Sequence, residues 1–328
     1  MITYIIRRCL LAIPTLLIIS IIGFVIIQLP EGDFLDRKIQ ELEEKYGDSS
    51  SIARIDELRE RYGLDRPMWE QYTTWISGFV VGNFGESFEY ETEVNDLIWD
   101  RLGFTLMISI GSLIFTYSVA IPLGIYSASH QYQWSDHTLT FFSFVGMSIP
   151  GFLLALALMV FVFEVYRVPL FGLFSAEYEG MPWSFNKFID LLKHLWIPVI
   201  VVGLNGTAGL MRIMRGNLRD ILGQPFVQTA RAKGLKESVV VVKHAVRIAI
   251  NPLITIFGMS LPNILSGSTI VSIVLGLPTV GPLLLRSLLS EDIYLAGTLL
   301  MMFSLLLIIG NILADIALAW ADPRIRYE

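Results

Sequence analysis

Long apolar segments constrain this chain more than any other feature of its sequence. A helix of about 20 residues spans the roughly 30 Å hydrocarbon core of a bilayer, and its backbone amide groups are satisfied within the segment, as lipid requires. The 54% hydrophobic content exceeds that of an ordinary soluble domain. The sequence therefore predicts an all-α integral membrane protein with six transmembrane helices, at 9–29, 104–128, 139–166, 196–214, 250–276 and 295–320.

The first apolar segment has two interpretations. Arg7 and Arg8 followed by apolar residues are typical of a secretory signal peptide. A signal core is usually about 7–15 residues long and ends at a small-x-small cleavage site. The segment here continues for about 20 residues without such a site before Pro30, so we expect an uncleaved first helix.

The distribution of basic residues predicts the orientation of the helices. The connection 212–247 has a net charge of +6 and carries eight basic residues: Arg212, Arg215, Arg219, Arg231, Lys233, Lys236, Lys243 and Arg247. Basic residues favour the cytoplasmic side in short connections. With six helices both termini lie on that same side, where Arg7, Arg8, Arg324 and Arg326 add further positive charge.

A long acidic segment follows the first helix. It contains 18 acidic and 8 basic residues within 31–101, and long segments are translocated largely regardless of charge. We expect a short charged helix at 56–62 and an interfacial helix carrying Trp69, Tyr72, Trp75 and Phe79. The predicted organisation is thus residues 1–30 with helix 1, an extracytoplasmic segment at 31–103, and a membrane core at 104–328.

Signatures of catalysis or metal binding are missing from the sequence. It contains no HExxH, GxSxG, GxxxxGK[ST] or GxGxxG motif. The single Cys9 excludes an internal disulfide, and the histidines are expected at the surface: His130, His137, His194 and His244. Glu164 and Asp315 lie near span ends, from which their carboxylates can reach the headgroups. We therefore expect no enzyme, no metal, and no charged relay such as an ion-coupled transporter needs.

The connection 224–247 reads QPFVQTARAKGLKESVVVVKHAVR. Ala230, Ala232 and Leu235 give small and apolar surface between Arg231 and Lys233, and glycine at 234 is typical of a helix end. Such a helix suits docking in a groove of a soluble partner. Binding of the basic residues to anionic headgroups is the alternative.

That connection resembles the cytoplasmic coupling segment of ABC importer permeases, and TARAKGL is typical of the dipeptide and oligopeptide permease family. The opening RRCLLAIPTLLIISIIGFVIIQLPEGD, the segment RERYGLDRPMWEQYTTWISGFVVGNFGESF and the C-terminal DPRIRYE are similar to the same family. The resemblance covers nearly the whole chain.

The resemblance implies a type I importer fold and a set of partners. These are a second homologous permease, two ATP-binding subunits that carry ATP and Mg²⁺, and an extracytoplasmic substrate-binding protein, in a bacterial or archaeal cytoplasmic membrane. The chain itself would bind no cofactor. The implied ATPase-coupling helix consists of Gln228, Thr229, Ala230, Arg231, Ala232, Lys233, Gly234 and Leu235.

Two departures from the family pattern bear on coupling and cargo. Gln228 stands where the general permease signature has glutamate. Ser272 stands where peptide-type members often have a glutamate before a Trp-Pro-Gly turn, which here reads Leu-Pro-Thr. We expect peptides as cargo, with oligosaccharides as the alternative that a neutral Ser272 would suit. Candidate pathway residues are Asn263, Ser266, Ser268, Thr269 and Ser272, and Asn205 is a further polar position; interhelical hydrogen bonding explains them equally well.

Overall fold

The computed structural model describes the backbone at residues 2–29, 63, 65–168 and 170–321, and side chains at 6–29, 63, 65–168, 170–258, 260 and 268–318. Within these ranges every regular element is a helix, and one isolated antiparallel bridge joins Glu86 to Glu93. The helices are α1 Ile2–Ile27, α2 Met68–Val80, α3 Val94–Ser129, α4 Trp134–Ser148, α5 Gly151–Tyr166, α6 Phe185–Leu222, α7 Pro225–Ala232, α8 Glu237–Ala249, α9 Asn251–Gly267, α10 Thr269–Val274, α11 Val280–Leu289 and α12 Ile293–Ala321. Helix α8 has π-helical geometry over Val240–Ala245.

Four described helices are long and apolar enough to cross a bilayer: Ile6–Ile27, Val94–Ser129, Phe185–Leu222 and Ile293–Leu318. Two bent helix pairs, α4 with α5 and α8 with the start of α9, raise the number to six if each pair is one span. The predicted all-α membrane architecture is confirmed. The number of six spans stays a prediction.

The third predicted span, 139–166, is not one continuous helix. Helix α4 ends at Ser148, α5 begins at Gly151, and their axes differ by 96°. Proline disfavours helical geometry in the residue before it, and Ile149 is accordingly extended at φ −86° and ψ 119°. Pro150 is therefore the local cause of the break.

The chain divides into two compact units: Met1–Ile5 with Phe104–Thr279 and Leu307–Glu328, and Ile6–Gly103 with Val280–Leu306. In the first unit α3 and α6 approach closely at glycines. A Cβ at Gly203 would lie 2.6 Å from the Phe115 ring, and one at Gly124 would lie 2.7 Å from Cβ of Met214. Small residues at such crossings let helices pack tightly within membranes.

In the second unit an aromatic cluster joins α1, α2 and α12. Trp75 is only 2% exposed and lies among Phe24, Tyr72 and Phe79, whereas Trp69 on the same helix is 66% exposed. The predicted helix at 69–79 is thus present as α2, with one aromatic face buried in protein. Its interfacial position stays a prediction, and the helix predicted at 56–62 lies outside the described residues.

Asp292 organises the connection between α2 and α3 in the second unit. Its carboxylate accepts hydrogen bonds from Ser87 Oγ at 2.5 Å and from the Glu89 backbone N–H at 3.2 Å. It also caps α12 by accepting from the Leu295 N–H at 3.0 Å. Burial raises the pKa of Asp292 above its usual range, against the lowering effect of these donors.

Buried ionisable groups are more numerous than the sequence analysis expected, and the surface position predicted for His194 is wrong. His194 is 3% exposed in α6, with Nδ1 2.9 Å from the Asp190 carbonyl oxygen. The Asp190 carboxylate accepts from the Ser175 N–H and Oγ, both at 2.7 Å. The Lys187 ammonium lies 4.8 Å from the Phe174 ring centroid. The Ser175–Asp190 hydrogen bonds therefore hold the connection before α6 against this helix, about one turn from His194.

Candidate coupling segment and transport pathway

Helix α7 contains most of the predicted coupling residues and has defined ends. Pro225 occupies the first turn, where its missing N–H costs nothing. At the other end Gly234 has φ +74°, its N–H donates to the Arg231 carbonyl at 2.9 Å, and the Leu235 N–H reaches the Ala230 carbonyl at 3.4 Å. This left-handed turn is the usual role of glycine at a helix C-terminus. The helix thus begins three residues before Gln228, and 233–235 form the turn that follows it.

One face of α7 is packed into the first unit. Val227 is fully buried and Ala230 is 7% exposed, within a cluster that includes Ala128 of α3, Leu218 of α6 and Val240 of α8. The sequence predicted Ala230, with Ala232 and Leu235, on an apolar surface for a soluble partner, whereas Ala230 packs within this chain. Val227 was not predicted, although its three-residue spacing from Ala230 was the available signal.

The opposite face of α7 is exposed. It carries Gln228, Thr229 and Ala232, and the following Lys233 and Leu235 are exposed too. Leu235, which the sequence placed with the apolar surface, is 41% exposed. A helix with one face anchored in the protein and a short polar and basic face outside can receive a partner without moving independently of the spans.

An ion pair links α7 to the start of α8. The Arg231 guanidinium donates to both carboxylate oxygens of Glu237, with Nη2 at 2.6 Å from Oε1 and Nε at 3.1 Å from Oε2. This hydrogen bonding raises the pKa of Arg231. Because the Arg231 and Glu237 side chains are 35% and 59% exposed, water and salt screen the pair, and it is worth roughly 0–1 kcal/mol. The pair joins the end of α7 to the first turn of α8.

A second ion pair is buried and joins three helices. Asp136, in the first turn of α4, is fully buried, and it accepts from Arg215 Nε at 2.9 Å and Arg215 Nη2 at 2.6 Å. The Ser127 hydroxyl of α3 and the Tyr132 N–H also donate to it. Sequence reasoning missed this site, because Arg215 was counted only as a base of the connection 212–247. It lies inside α6.

The predicted pathway residues lie on α9, on α10 and at Ser268 between these two helices. Ser268 is 6% exposed and Ser272 is 1% exposed, while Thr269 is half-buried. The side chains of Asn263 and Ser266 lie outside the described residues. The three of these residues whose side chains are described are therefore buried or half-buried, and the role of all five in the pathway stays a prediction.

A cavity of about 380 Å³ lies elsewhere in the first unit, along α3, α6 and α9. Its polar lining residues are Thr116, Tyr117, Asn205 and Ser260, and two glycines of α6, Gly206 and Gly209, form part of its wall. Of these, the sequence analysis had named only Asn205. Among the residues described, no group of three His, Cys, Asp or Glu side chains is placed to hold a metal ion.

These features define a class: an all-α, multi-span membrane protein with a short amphipathic helix anchored against its long helices. Residues 120–327 match the family described as binding-protein-dependent transport system inner membrane component, and residues 1–109 match the N-terminal family of the same systems. The chain belongs to this family. It is a multi-pass permease subunit of a binding-protein-dependent ABC importer, a non-catalytic membrane component.

Curated relatives match over the full length. The chain is 37% identical over 332 residues to the oligopeptide transport system permease protein AppB of Bacillus subtilis (strain 168), covering 100% of both proteins. It is 32% identical to the oligopeptide transport system permease protein OppB of Haemophilus influenzae (strain ATCC 51907 / DSM 11121 / KW20 / Rd), and 31% identical to the glutathione transport system permease protein GsiC of Shigella flexneri serotype 5b (strain 8401), each over 100% of both chains. The family resemblance stated from the sequence is confirmed.

Proposed function

We propose that this chain forms half of the translocation pathway of an ATP-driven peptide importer. Its partners would be a second, homologous permease, two ATP-binding subunits and an extracytoplasmic binding protein. The observation that carries the proposal is helix α7, which buries Val227 and Ala230 and leaves Gln228 and Thr229 in solvent. A docking helix needs both properties: an exposed face that binds the partner and a packed face that transmits the movement to the other helices of the chain.

The proposed mechanism is alternating access. Closure of the ATP-binding subunits pushes on 228–235, and α7 moves the elements against which it packs, α3, α6 and α8. The Asp136–Arg215 pair then makes α4 follow α6, because its charge-assisted bonds are short and shielded from water. Helices linked in this way reorient as one body, as hinge and shear transitions require.

Peptide cargo is proposed from the relatives, whose names specify oligopeptide or glutathione transport. The oligosaccharide alternative depended on a neutral Ser272 facing the pathway. That residue is 1% exposed, so Ser272 does not favour the sugar over the peptide.

We further propose that α7 and both termini face the cytoplasm of a bacterium or archaeon, and that ATP and Mg²⁺ bind only to the partner subunits. The basic residues around α7 support this orientation. It can be tested in a Cys9→Ala background with a membrane-impermeant maleimide on intact spheroplasts. Cysteine at Lys233 should stay unlabelled, and cysteine at the 78% exposed Val81 should react. The reverse pattern would refute the orientation.

The assembly is tested by purifying the tagged chain from its own host membrane and identifying what accompanies it. Two ATP-binding subunits and a second permease are expected in stoichiometric amounts. In proteoliposomes the complex should import peptides when ATP and the binding protein are supplied. A chain that purifies without any ATP-binding protein would contradict the proposal.

A further inference from the structure

The cavity along α3, α6 and α9 has walls fixed by hydrogen bonds. Thr116 of α3 and Thr207 of α6 both donate to the Gly203 carbonyl at 2.8 Å. The Tyr117 hydroxyl donates to the Leu253 carbonyl of α9 at 2.9 Å. Three helices are therefore locked around the cavity, whose volume of about 380 Å³ lies within the range of small-molecule sites.

The polar groups at the cavity differ in their unused hydrogen-bonding capacity. The hydroxyls of Thr116, Tyr117 and Ser260 donate to backbone carbonyls, so each retains only acceptor capacity. Asn205 is exposed, and among the described residues its amide makes no hydrogen bond. Its two N–H donors and its carbonyl oxygen are available to a ligand.

The cavity lining carries no charge at neutral pH among the described residues. A charged terminus or side chain placed there would lose its hydration without gaining a counter-charge, which is costly. An uncharged group with one donor and one acceptor would not meet this penalty, and the peptide unit is such a group.

We propose that this cavity is a cargo subsite that binds an uncharged backbone stretch of a peptide through the side-chain amide of Asn205. The amide N–H of Asn205 donates to a peptide carbonyl, and its carbonyl oxygen accepts from a peptide N–H. Gly206 and Gly209 present no side chains, which lets the cargo backbone approach α6. The inference rests on the proposed function, since it assumes that peptides pass along this chain.

The test uses the complete transporter in proteoliposomes with penta-alanine as the probe. Asn205→Leu removes the amide, and Gly209→Leu fills the cavity while leaving Asn205 in place. A Cβ at Gly209 meets no atom within 4 Å, so this variant should fold. The matched controls are Asn186→Leu, an exposed position of the same helix, and Gly216→Leu, where a Cβ also meets nothing within 4 Å.

Asn205→Leu should lower the import rate at subsaturating penta-alanine by about three- to tenfold, the range expected for losing one or two hydrogen bonds. Gly209→Leu should lower it at least as much, because its side chain occupies the space of the cargo backbone. ATP hydrolysis stimulated by the binding protein, and the elution volume of the complex, should match the controls. Asn205→Asp should favour a probe with a central lysine over one with a central glutamate.

Three outcomes separate the subsite from the function on which it rests. Wild-type protein that imports penta-alanine, with both cavity variants equal to their controls, would overturn the subsite alone. Loss of assembly or of ATP hydrolysis in both cavity variants would assign a structural role to these positions and would also overturn the subsite. Wild-type protein that imports maltopentaose but no peptide would overturn the peptide function itself.

Discussion

The turn at Gly234 gives a prediction that separates backbone conformation from side-chain size. Gly234 has φ +74°, and a Cβ there would meet no atom within 4 Å. The cost of replacing it is therefore conformational within this chain. Only steric contact with a docked partner would make the size of the new side chain matter.

The magnitude follows from the backbone. An L-residue other than glycine pays roughly 1–2 kcal/mol in the left-handed region, and asparagine pays less than most. Since about 1.4 kcal/mol is a factor of ten, Gly234→Ala should shift the equilibrium away from the native turn by roughly five- to thirtyfold. Gly234→Asn should be milder, and Gly234→Val at least as severe as alanine because of its branched Cβ.

The assay is the ratio of peptide imported to ATP hydrolysed in proteoliposomes. We expect this ratio to fall in the order wild type, Asn, Ala, Val, with unchanged protein yield. The control is Gly223→Ala, because Gly223 has φ −79° and a Cβ there would be 3.7 Å from the Asp220 carbonyl oxygen. A ratio for Asn as low as that for Val would refute the conformational reasoning and favour a steric clash with the partner. Wild-type ratios in all variants would remove 228–235 from the coupling path.

Three further substitutions test other parts of the structure. Asp136→Asn should lower the free energy of unfolding by roughly 1–3 kcal/mol, because Arg215 loses its carboxylate. The control Asp220→Asn, which removes an exposed pair with Arg219, should change the free energy of unfolding by less than about 0.5 kcal/mol. Equal shifts in the thermal unfolding of the two variants would contradict the importance of the buried pair. Gly276→Ala should destabilise the first unit, since Gly276 has φ +65° and a Cβ would overlap the Phe171 ring. If adding Phe171→Ala to this variant does not restore its stability, the destabilisation comes from backbone strain alone. Asp292→Asn replaces one carboxylate oxygen with an NH2 group, which must face either the Ser87 and Glu89 donors at the Oδ2 position or the Leu295 N–H at the Oδ1 position. Hydrogen exchange at 87–93 or at Leu295 should then accelerate by about tenfold or more, and unchanged exchange at both places would show that these bonds do not hold the segment.

Structural features that depend on a few neighbouring residues could be predicted from the sequence. Glycine tolerates the left-handed turn at the end of α7, so the turn at Gly234 could be read from its position after TARAK. The aromatic spacing predicted α2 in the same way. The break at Pro150 was not predicted, since the hydrophobicity of 139–166 indicated one span and carries no information about the 96° bend between α4 and α5.

The buried polar sites could not be predicted from the sequence because their members are far apart in it. Asp136 and Arg215 are separated by 79 positions, and each alone resembles an ordinary charged residue near a helix end. His194 is buried in α6 by the packing of the folded chain, which its local sequence does not indicate. Polarity suggested Asn263, Ser266, Ser268, Thr269 and Ser272 as pathway residues and Asn205 as a further polar position, and the cavity along α3, α6 and α9 is lined by Asn205.

The sequence by itself therefore determined the all-α membrane class and the family, and it predicts the position of the coupling segment, because lipid, charge distribution and glycine act over short stretches of chain. Only the tertiary structure decided which face of α7 is anchored, which carboxylate is buried against arginine, and which polar side chain keeps its hydrogen-bonding groups free. Those properties depend on contacts between helices, and contacts between distant segments are set by three-dimensional packing.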